Sequence, residues 1–83
     1  MRYFVISDND DTLIGMRLAG IEGKKAVSRD DIREAINFAI SAGDIGILLI
    51  SERCATLCPE LIDGLKLTLS APLLIEIPDR EGS

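Results

Sequence analysis

The side chains best suited to chemistry lie in a single acidic stretch near the N-terminus. Asp8, Asp10 and Asp11 occupy three of four consecutive positions, directly after an apolar segment at residues 2–7. Neighbouring carboxylates are typical ligands of Mg²⁺, and a bound Mg²⁺ suits phosphoryl transfer. Acidic side chains are equally common where a helix begins, because they complement the positive end of the helix dipole. The residues available elsewhere in the chain decide between these two interpretations.

The remaining residues do not supply the partners that catalysis at the acidic stretch requires. Receiver domains of response regulators place paired acids after their first strand, but they also need a phospho-accepting aspartate after the third strand. This chain has Ser51 there, and no fifth strand is predicted to carry the lysine of such domains. There is no histidine, no G-x-G-x-x-G fingerprint and no Walker-type GK[ST] motif.

We therefore expect no catalytic residue, no cofactor and no functional metal site. The alternative hypothesis is a degenerate receiver-like signalling domain that binds Mg²⁺ weakly through Asp8 and Asp10. A third hypothesis is a thiol-dependent redox protein that uses Cys54 and Cys58. Their spacing of four puts both thiols on one side of a helix, and without histidine they cannot complete a tetrahedral zinc site. We expect both cysteines to be reduced thiols that are buried or half-buried.

Composition and charge exclude several classes of partner. The chain has 83 residues, enough for one small domain. Fourteen acidic against nine basic residues leave a net charge of −5, which disfavours binding to nucleic acid or to anionic lipid. The longest apolar run, at residues 45–50, is too short to cross a membrane, and the N-terminus lacks a signal-peptide layout. These features predict a cytoplasmic protein with no direct membrane insertion.

The apolar pattern predicts strands that alternate with helices. Strands are expected at residues 2–7, 24–27, 45–50 and 73–77, and the lysines of the second place it at a sheet edge. In the first helix, Asp10 or Asp11 is expected as the N-cap, and Gly20 and Gly23 are expected to end the helix. Its apolar stripe is predicted to comprise Leu13, Ile14, Leu18 and Ile21.

The second helix has the clearest boundaries. It opens with a capping-box variant formed by Ser28 and Asp31, and it stops at Gly43. Its apolar residues recur at helical spacing and are predicted to face a core: Ile32, Ala35, Ile36, Ala39 and Ile40. The third helix is predicted over residues 52–66 with an interruption near Cys58-Pro59. Its stripe is predicted to comprise Leu57, Leu61 and Leu65.

This alternation predicts a small doubly wound α/β fold of the Rossmann-like or flavodoxin-like kind. Its four-stranded parallel sheet has the predicted order 2-1-3-4 with three helices. Residues 1–78 form the predicted domain and residues 79–83 a polar tail. In this topology the first helix lies alone on one face of the sheet, while the other two cover the opposite face. Half of one face should therefore stay open, to be filled by a missing C-terminal helix or by a partner.

Three stretches of the sequence resemble a known family. They are SDNDDTLIGMRLAGIEG, DIGILLISERCATLCPELID and LLIEIPDREGS, and together they span most of the chain. In this combination and order they are similar to the F subunit of the V-type (archaeal/vacuolar-type) ATPases and ATP synthases, in a bacterial version.

The resemblance implies a non-catalytic rotor component. The F subunit of this family binds the coiled-coil D subunit in the central stalk, which turns inside the A/B hexamer where the ATP chemistry takes place. Such a chain would lie in the soluble V1/A1 sector, peripheral to the membrane, and would help couple ATP hydrolysis or synthesis to ion transport through the membrane rotor. Family members typically carry a further C-terminal helical segment, which would begin at the polar tail.

If docking is the function, the C-terminal rim of the sheet is the expected surface. The interface candidates by position and residue type are Asp8, Arg17, Ser51, Glu52 and Arg53. Arg17 is expected to extend its charged end to solvent along the apolar side of the helix, to pair with a nearby acid such as Glu22 or Asp10, or to anchor the partner, as arginine often does in interfaces. The open sheet face beside the first helix is the other candidate surface.

Overall fold

The computed structural model describes residues 2–68 and 72–78. The elements are β1 (Arg2–Ser7), α1 (Asp10–Leu18), β2 (Glu22–Lys25), α2 (Arg29–Ala42), β3 (Ile45–Ser51), α3 (Glu52–Leu57), α4 (Pro59–Thr68) and β4 (Leu73–Ile77). The strands form one parallel sheet in the order β2-β1-β3-β4, which confirms the predicted fold class and strand order. The predicted polar tail lies outside the described residues.

The main core lies between one face of the sheet and helices α2, α3 and α4, as predicted. Its buried side chains from the strands and helices include Phe4, Ile6, Ile32, Ala35, Ile36, Ala39, Leu48, Ile50, Cys54, Cys58 and Ile62. The stripe predicted for α2 is thus buried except for Ile40, which is partly exposed. Each residue of an α-helix turns the side-chain direction by about 100°, so eight residues make two full turns plus about 80°. Ile40 therefore points about 80° away from the direction of the buried Ile32.

The start of α2 has the predicted capping box. Ser28 Oγ accepts a hydrogen bond from the backbone N–H of Asp31 at 3.1 Å, and Asp31 Oδ2 accepts from the N–H groups of Val27 (3.1 Å) and Ser28 (3.3 Å). Gly43 follows the helix with φ 79°, a left-handed conformation that favours glycine. The bond from Val27, followed by those from Ser28, holds the pKa of Asp31 below its usual value.

The start of α1 corrects the prediction that an aspartate caps this helix. The N-cap is Asn9, whose Oδ1 accepts the N–H of Thr12 at 3.0 Å, and Asp10 and Asp11 already belong to the first turn. Asn9 is held in an extended conformation because its own N–H donates to Ser7 Oγ at 3.0 Å. The two acids still complement the positive end of the helix dipole.

The apolar stripe predicted for α1 does not form a core. No residue of α1 is buried, Ile14 and Leu18 are exposed, and Ile21 comes after the helix. The reason is that α1 is short and packs on β1 and β2. Leu13 alone of the predicted stripe packs closely on the sheet within the helix, against Gly23.

Strand β2 begins earlier than predicted, at Glu22 rather than Lys24, and all of its residues are exposed. A left-handed turn at Gly20, with φ 87°, reverses the chain directly after α1. Gly23 therefore lies within the strand and does not end the helix. The predicted position at a sheet edge is confirmed.

The segment predicted as one interrupted helix forms two helices, α3 and α4, separated at Cys58. Cys54 and Cys58 are buried and neither forms a disulfide, as predicted. Leu61 and Leu65 pack against the core, whereas Leu57 is exposed. Because the chain breaks at Cys58, Leu57 does not continue the face that α4 presents to the sheet.

We predict that Gly23→Ala destabilises the fold by about 1–3 kcal/mol, since overpacking a tight site costs this much. A Cβ at this position would lie 2.8 Å from the Val5 carbonyl oxygen and 2.9 Å from Leu13 Cδ2. Gly15→Ala is the matched control, because a Cβ there has nothing within 4 Å. It should stabilise α1 by up to about 1 kcal/mol. Urea unfolding of both variants tests this, and equal stability of the two would contradict it.

We also predict that acid weakens the fold partly through Asp31. Because the pKa of Asp31 is lower in the folded chain, its stabilisation is complete above the unfolded pKa and is lost as the pH falls through the folded one. The free energy of unfolding should drop below about pH 4, and less steeply in Asp31→Asn. Asp63→Asn on α4 is the control. Urea titrations across this range would refute the idea if both variants kept the parent's slope.

Candidate functional site

The C-terminal ends of β1 and β3 bring Asp8 and Arg53 together. β1 pairs with β3 in a register that sets Ile6 opposite Ile50, so the residues that follow the two strands meet at one edge. Arg53, in the first turn of α3, places its Nε 3.4 Å from Asp8 Oδ2. Glu52 is exposed beside it. Four of the five predicted interface residues thus lie on one rim of the sheet.

Ser51 lies on the same rim, but its side chain is not at the surface. It is 2 % exposed, and its Oγ accepts the N–H of Cys54 at 3.3 Å, which caps α3. Ser7 at the end of β1 is equally buried and supports the acidic loop through Asn9. Both serines therefore position the loops that carry Asp8 and Arg53. The S-x-x-C spacing of a helix N-cap was the sequence signal for the role of Ser51.

Arg17 lies away from this rim. Helix α1 runs back from the C-terminal ends of the strands, so its last turn lies near the start of β2, and Arg17 lines a groove with Glu22 and Gly23. Neither predicted ionic partner is engaged with it. Asp10 faces Lys25 Nζ at 3.2 Å. Glu22 instead accepts from the guanidinium of Arg2 at 2.6 Å.

Arg2 links β1 to the two neighbouring strands by ion pairs, at the end of the sheet where the strands begin. Besides Glu22 at the start of β2, it contacts Asp44 just before β3, with Nε 2.7 Å from Oδ2. This hydrogen bond is the main reason that the pKa of Arg2 is raised and that of Asp44 is lowered. The cluster is structural, because its charges satisfy one another.

The carboxylates of the Mg²⁺ hypothesis each face a cation, Asp8 facing Arg53 and Asp10 facing Lys25. Across residues 2–68 and 72–78, no three His, Cys, Asp or Glu side chains come together in a way that could hold a metal ion. A divalent ion at the acidic loop would have to displace both ion pairs.

Among the residues that the structure describes, α1 is the helix that packs on the sheet face opposite the main core, and it covers one half of that face. Neighbouring strands align its side chains in two rows, Tyr3–Ile47–Leu73 and Val5–Leu49–Ile75. Helix α1 packs on β1 and β2, so the rows are uncovered towards β4. Tyr3 is 45 %, Leu73 56 % and Ile75 40 % exposed. We call Tyr3, Ile47, Leu49, Leu73 and Ile75 the open sheet face; Leu49 at its centre is buried, and Tyr3, Leu73 and Ile75 are exposed around it. The exposure of these three side chains agrees with the predicted half-open layer.

Comparison with known proteins identifies the family. The family model described as "ATP synthase (F/14-kDa) subunit" matches residues 4–83. The chain belongs to this family. The F subunit of the A-type ATP synthase of Thermococcus kodakarensis is 33 % identical to the chain, over all of it and 79 % of the relative. The corresponding F subunit of Pyrococcus furiosus is 31 % identical over 95 % of the chain and 77 % of the relative. The F subunit of Methanothermobacter thermautotrophicus is 33 % identical over 94 % of the chain and 73 % of the relative.

As a member of the ATP synthase F-subunit family, the protein is a non-catalytic component of a rotary complex. The predicted resemblance to this family is thereby confirmed. None of the helices in the described part of the chain has the length and apolar character needed to span a membrane.

We predict that Mg²⁺ at millimolar concentration does not change the backbone amide chemical shifts of residues 8–11. The physical reason is that Asp8 and Asp10 already face Arg53 and Lys25. NaCl at matched ionic strength is the control for general salt effects. A saturable, Mg²⁺-specific shift at these residues would overturn the assignment of the loop as structural.

Proposed function

We propose that this chain is the central-stalk F subunit of a V-type rotary ATPase or ATP synthase and that it docks as a rigid body on the coiled-coil D subunit. The family match over residues 4–83 carries the proposal. In this role the chain helps couple ATP hydrolysis or synthesis to ion transport. It works in the cytoplasmic V1/A1 sector, peripheral to the membrane, with indirect links to the A/B hexamer and the membrane rotor.

The open sheet face is the docking surface best suited to a coiled coil. Its two rows of aliphatic and aromatic side chains are flat, and a helix packs on such a surface through an apolar stripe of its own. Covering Leu73 and Ile75 contributes favourable free energy, because each fully buried aliphatic side chain is worth about 1.5–3 kcal/mol. Leu73 is 56 % and Ile75 40 % exposed in the isolated chain, so about half of this gain per side chain is available on binding.

The rim residues Asp8, Glu52 and Arg53 border this surface at the C-terminal end of the strands. The ion pair between Asp8 and Arg53 is partly solvated, with the arginine side chain 61 % exposed. Pairs of this kind contribute about 0–1 kcal/mol, so a partner can exchange them at little cost. In the proposal these charges set orientation, whereas the apolar rows supply affinity.

The test is complex formation with the D subunit of the same organism. The chain and the D subunit should comigrate on a sizing column at micromolar concentration. The double variant Leu73→Asp/Ile75→Asp should weaken the complex at least about tenfold, because a carboxylate would have to be desolvated at the centre of the contact.

Leu18→Asp is the matched control for this experiment. Leu18 is an 85 % exposed leucine on α1, so its replacement should leave affinity for the D subunit unchanged. Circular dichroism would establish that the variants are folded. Absence of any complex with the parent chain contradicts the stalk role. Full affinity of the double variant contradicts only the choice of the open sheet face.

A further inference from the structure

Strand β2 is an uncovered edge of the sheet. It is the first strand in the order β2-β1-β3-β4, and all its residues are exposed. Ala26, just after the strand, donates its N–H to the Ser7 carbonyl at 3.0 Å. Because alternate residues of a strand direct their backbone groups to opposite sides, Gly23 and Lys25 direct theirs outward. The outer edge therefore offers N–H and C=O groups at two positions.

A groove of about 600 Å³ follows this edge. It is lined by Phe4, Arg17, Glu22, Gly23, Lys24, Lys25 and Phe38. On the α2 side lies Phe38, whose ring is 53 % exposed and 5.4 Å from the ring of Phe4 between centroids. On the α1 side lies Arg17. Side chains alternate along the strand, so Lys25 lies on the α1 side with Arg17, whereas Glu22 and Lys24 lie on the α2 side with Phe38. The α1 side is therefore basic, and the α2 side combines an aromatic surface with one acid and one base.

The charge of the groove is opposite to that of the chain as a whole. Three of the nine basic residues, Arg17, Lys24 and Lys25, line it in a chain of net charge −5. Its single acid, Glu22, is already paired with Arg2, and among its bases Lys25 faces Asp10 at 3.2 Å. Within the part of the chain that the structure describes, the Arg17 side chain makes no ion pair. Lysines on an edge normally discourage strand pairing, but with an acidic partner the same charges favour it.

We propose that the outer edge of β2 binds an extended segment of another protein in which acidic and apolar residues alternate. The segment adds a strand to the sheet through the outward backbone groups of Gly23 and Lys25. Its apolar side chains lie on the α2 side against Phe38, and its carboxylates lie on the α1 side near Arg17 and Lys25. This site is separate from the open sheet face, which extends to the opposite edge strand.

The experiment uses a fluorescein-labelled peptide of alternating glutamate and valine, measured by anisotropy and by amide resonances. Saturable binding should move the amides of Gly23 and Lys25 and should weaken with salt. The variant Arg17→Glu/Lys25→Glu should bind about tenfold more weakly, as expected for the loss of about 1.4 kcal/mol. Arg33→Glu, an exposed arginine of α2 outside the groove, is the control and should bind as the parent does.

Backbone chemistry separates strand addition from mere charge attraction. A glutamate–valine peptide that is N-methylated at alternate residues, on the peptide edge that would face β2, should lose binding. A peptide of alternating lysine and valine should not bind either. Equal binding of the N-methylated peptide would overturn the proposal, as would absence of saturable binding. Self-association of the chain through β2 would also overturn it, in favour of a second copy as occupant. Affinity for the D subunit should not change in Arg17→Glu/Lys25→Glu, so this result is independent of the proposed stalk role.

Discussion

The pairing of β1 with β3 at the centre of the sheet is the constraint on which the rest of the molecule depends. The chain passes from β1 to β2 on one side and then returns past β1 to β3 on the other. Crossovers between parallel strands are right-handed, so this reversal puts α1 on one face and the later helices on the other. One face then receives a complete helical layer, and the opposite face receives a single short helix.

This asymmetry leaves one face of the sheet as a core and the other as a partly exposed apolar face. The face under α2, α3 and α4 buries a contiguous set of aliphatic side chains and both cysteines. The opposite face keeps its central residue Val5 buried but leaves Leu73 and Ile75 exposed at the edge. The uncovered half suits a protein that completes its apolar layer in an assembly.

Polar side chains at the ends of the strands position loops rather than perform chemistry. Ser7 and Ser51 end adjacent parallel strands, and each hydroxyl accepts an N–H from the loop or helix that follows. Arg2 holds the opposite end through Asp44 and Glu22. The strand ends on either side of the open sheet face are thus held by contacts within the chain.

The strand order, the buried stripe of α2 and its capping box were predictable because they depend on local periodicity and on a general rule of handedness. The position of Arg17 was not predictable from the sequence, because it depends on the direction in which α1 runs back along the sheet. The exposure of Leu18 likewise depends on how many strands α1 covers. The burial of Ser51 depends on how α3 packs over β3. Apolar periodicity indicates that a helix has an apolar side, but it does not indicate whether a strand or another helix packs against that side.

The amino-acid sequence by itself determined the fold class, the absence of a catalytic constellation and the family, because these follow from residue types, spacing and order along the chain. Only the tertiary structure decided which charges meet, which apolar side chains stay uncovered and which strand edge is open. Those properties arise between residues distant in sequence, such as Asp8 with Arg53 and Tyr3 with Leu73. Their distances are set by strand register and helix direction, which are fixed when the whole sheet assembles.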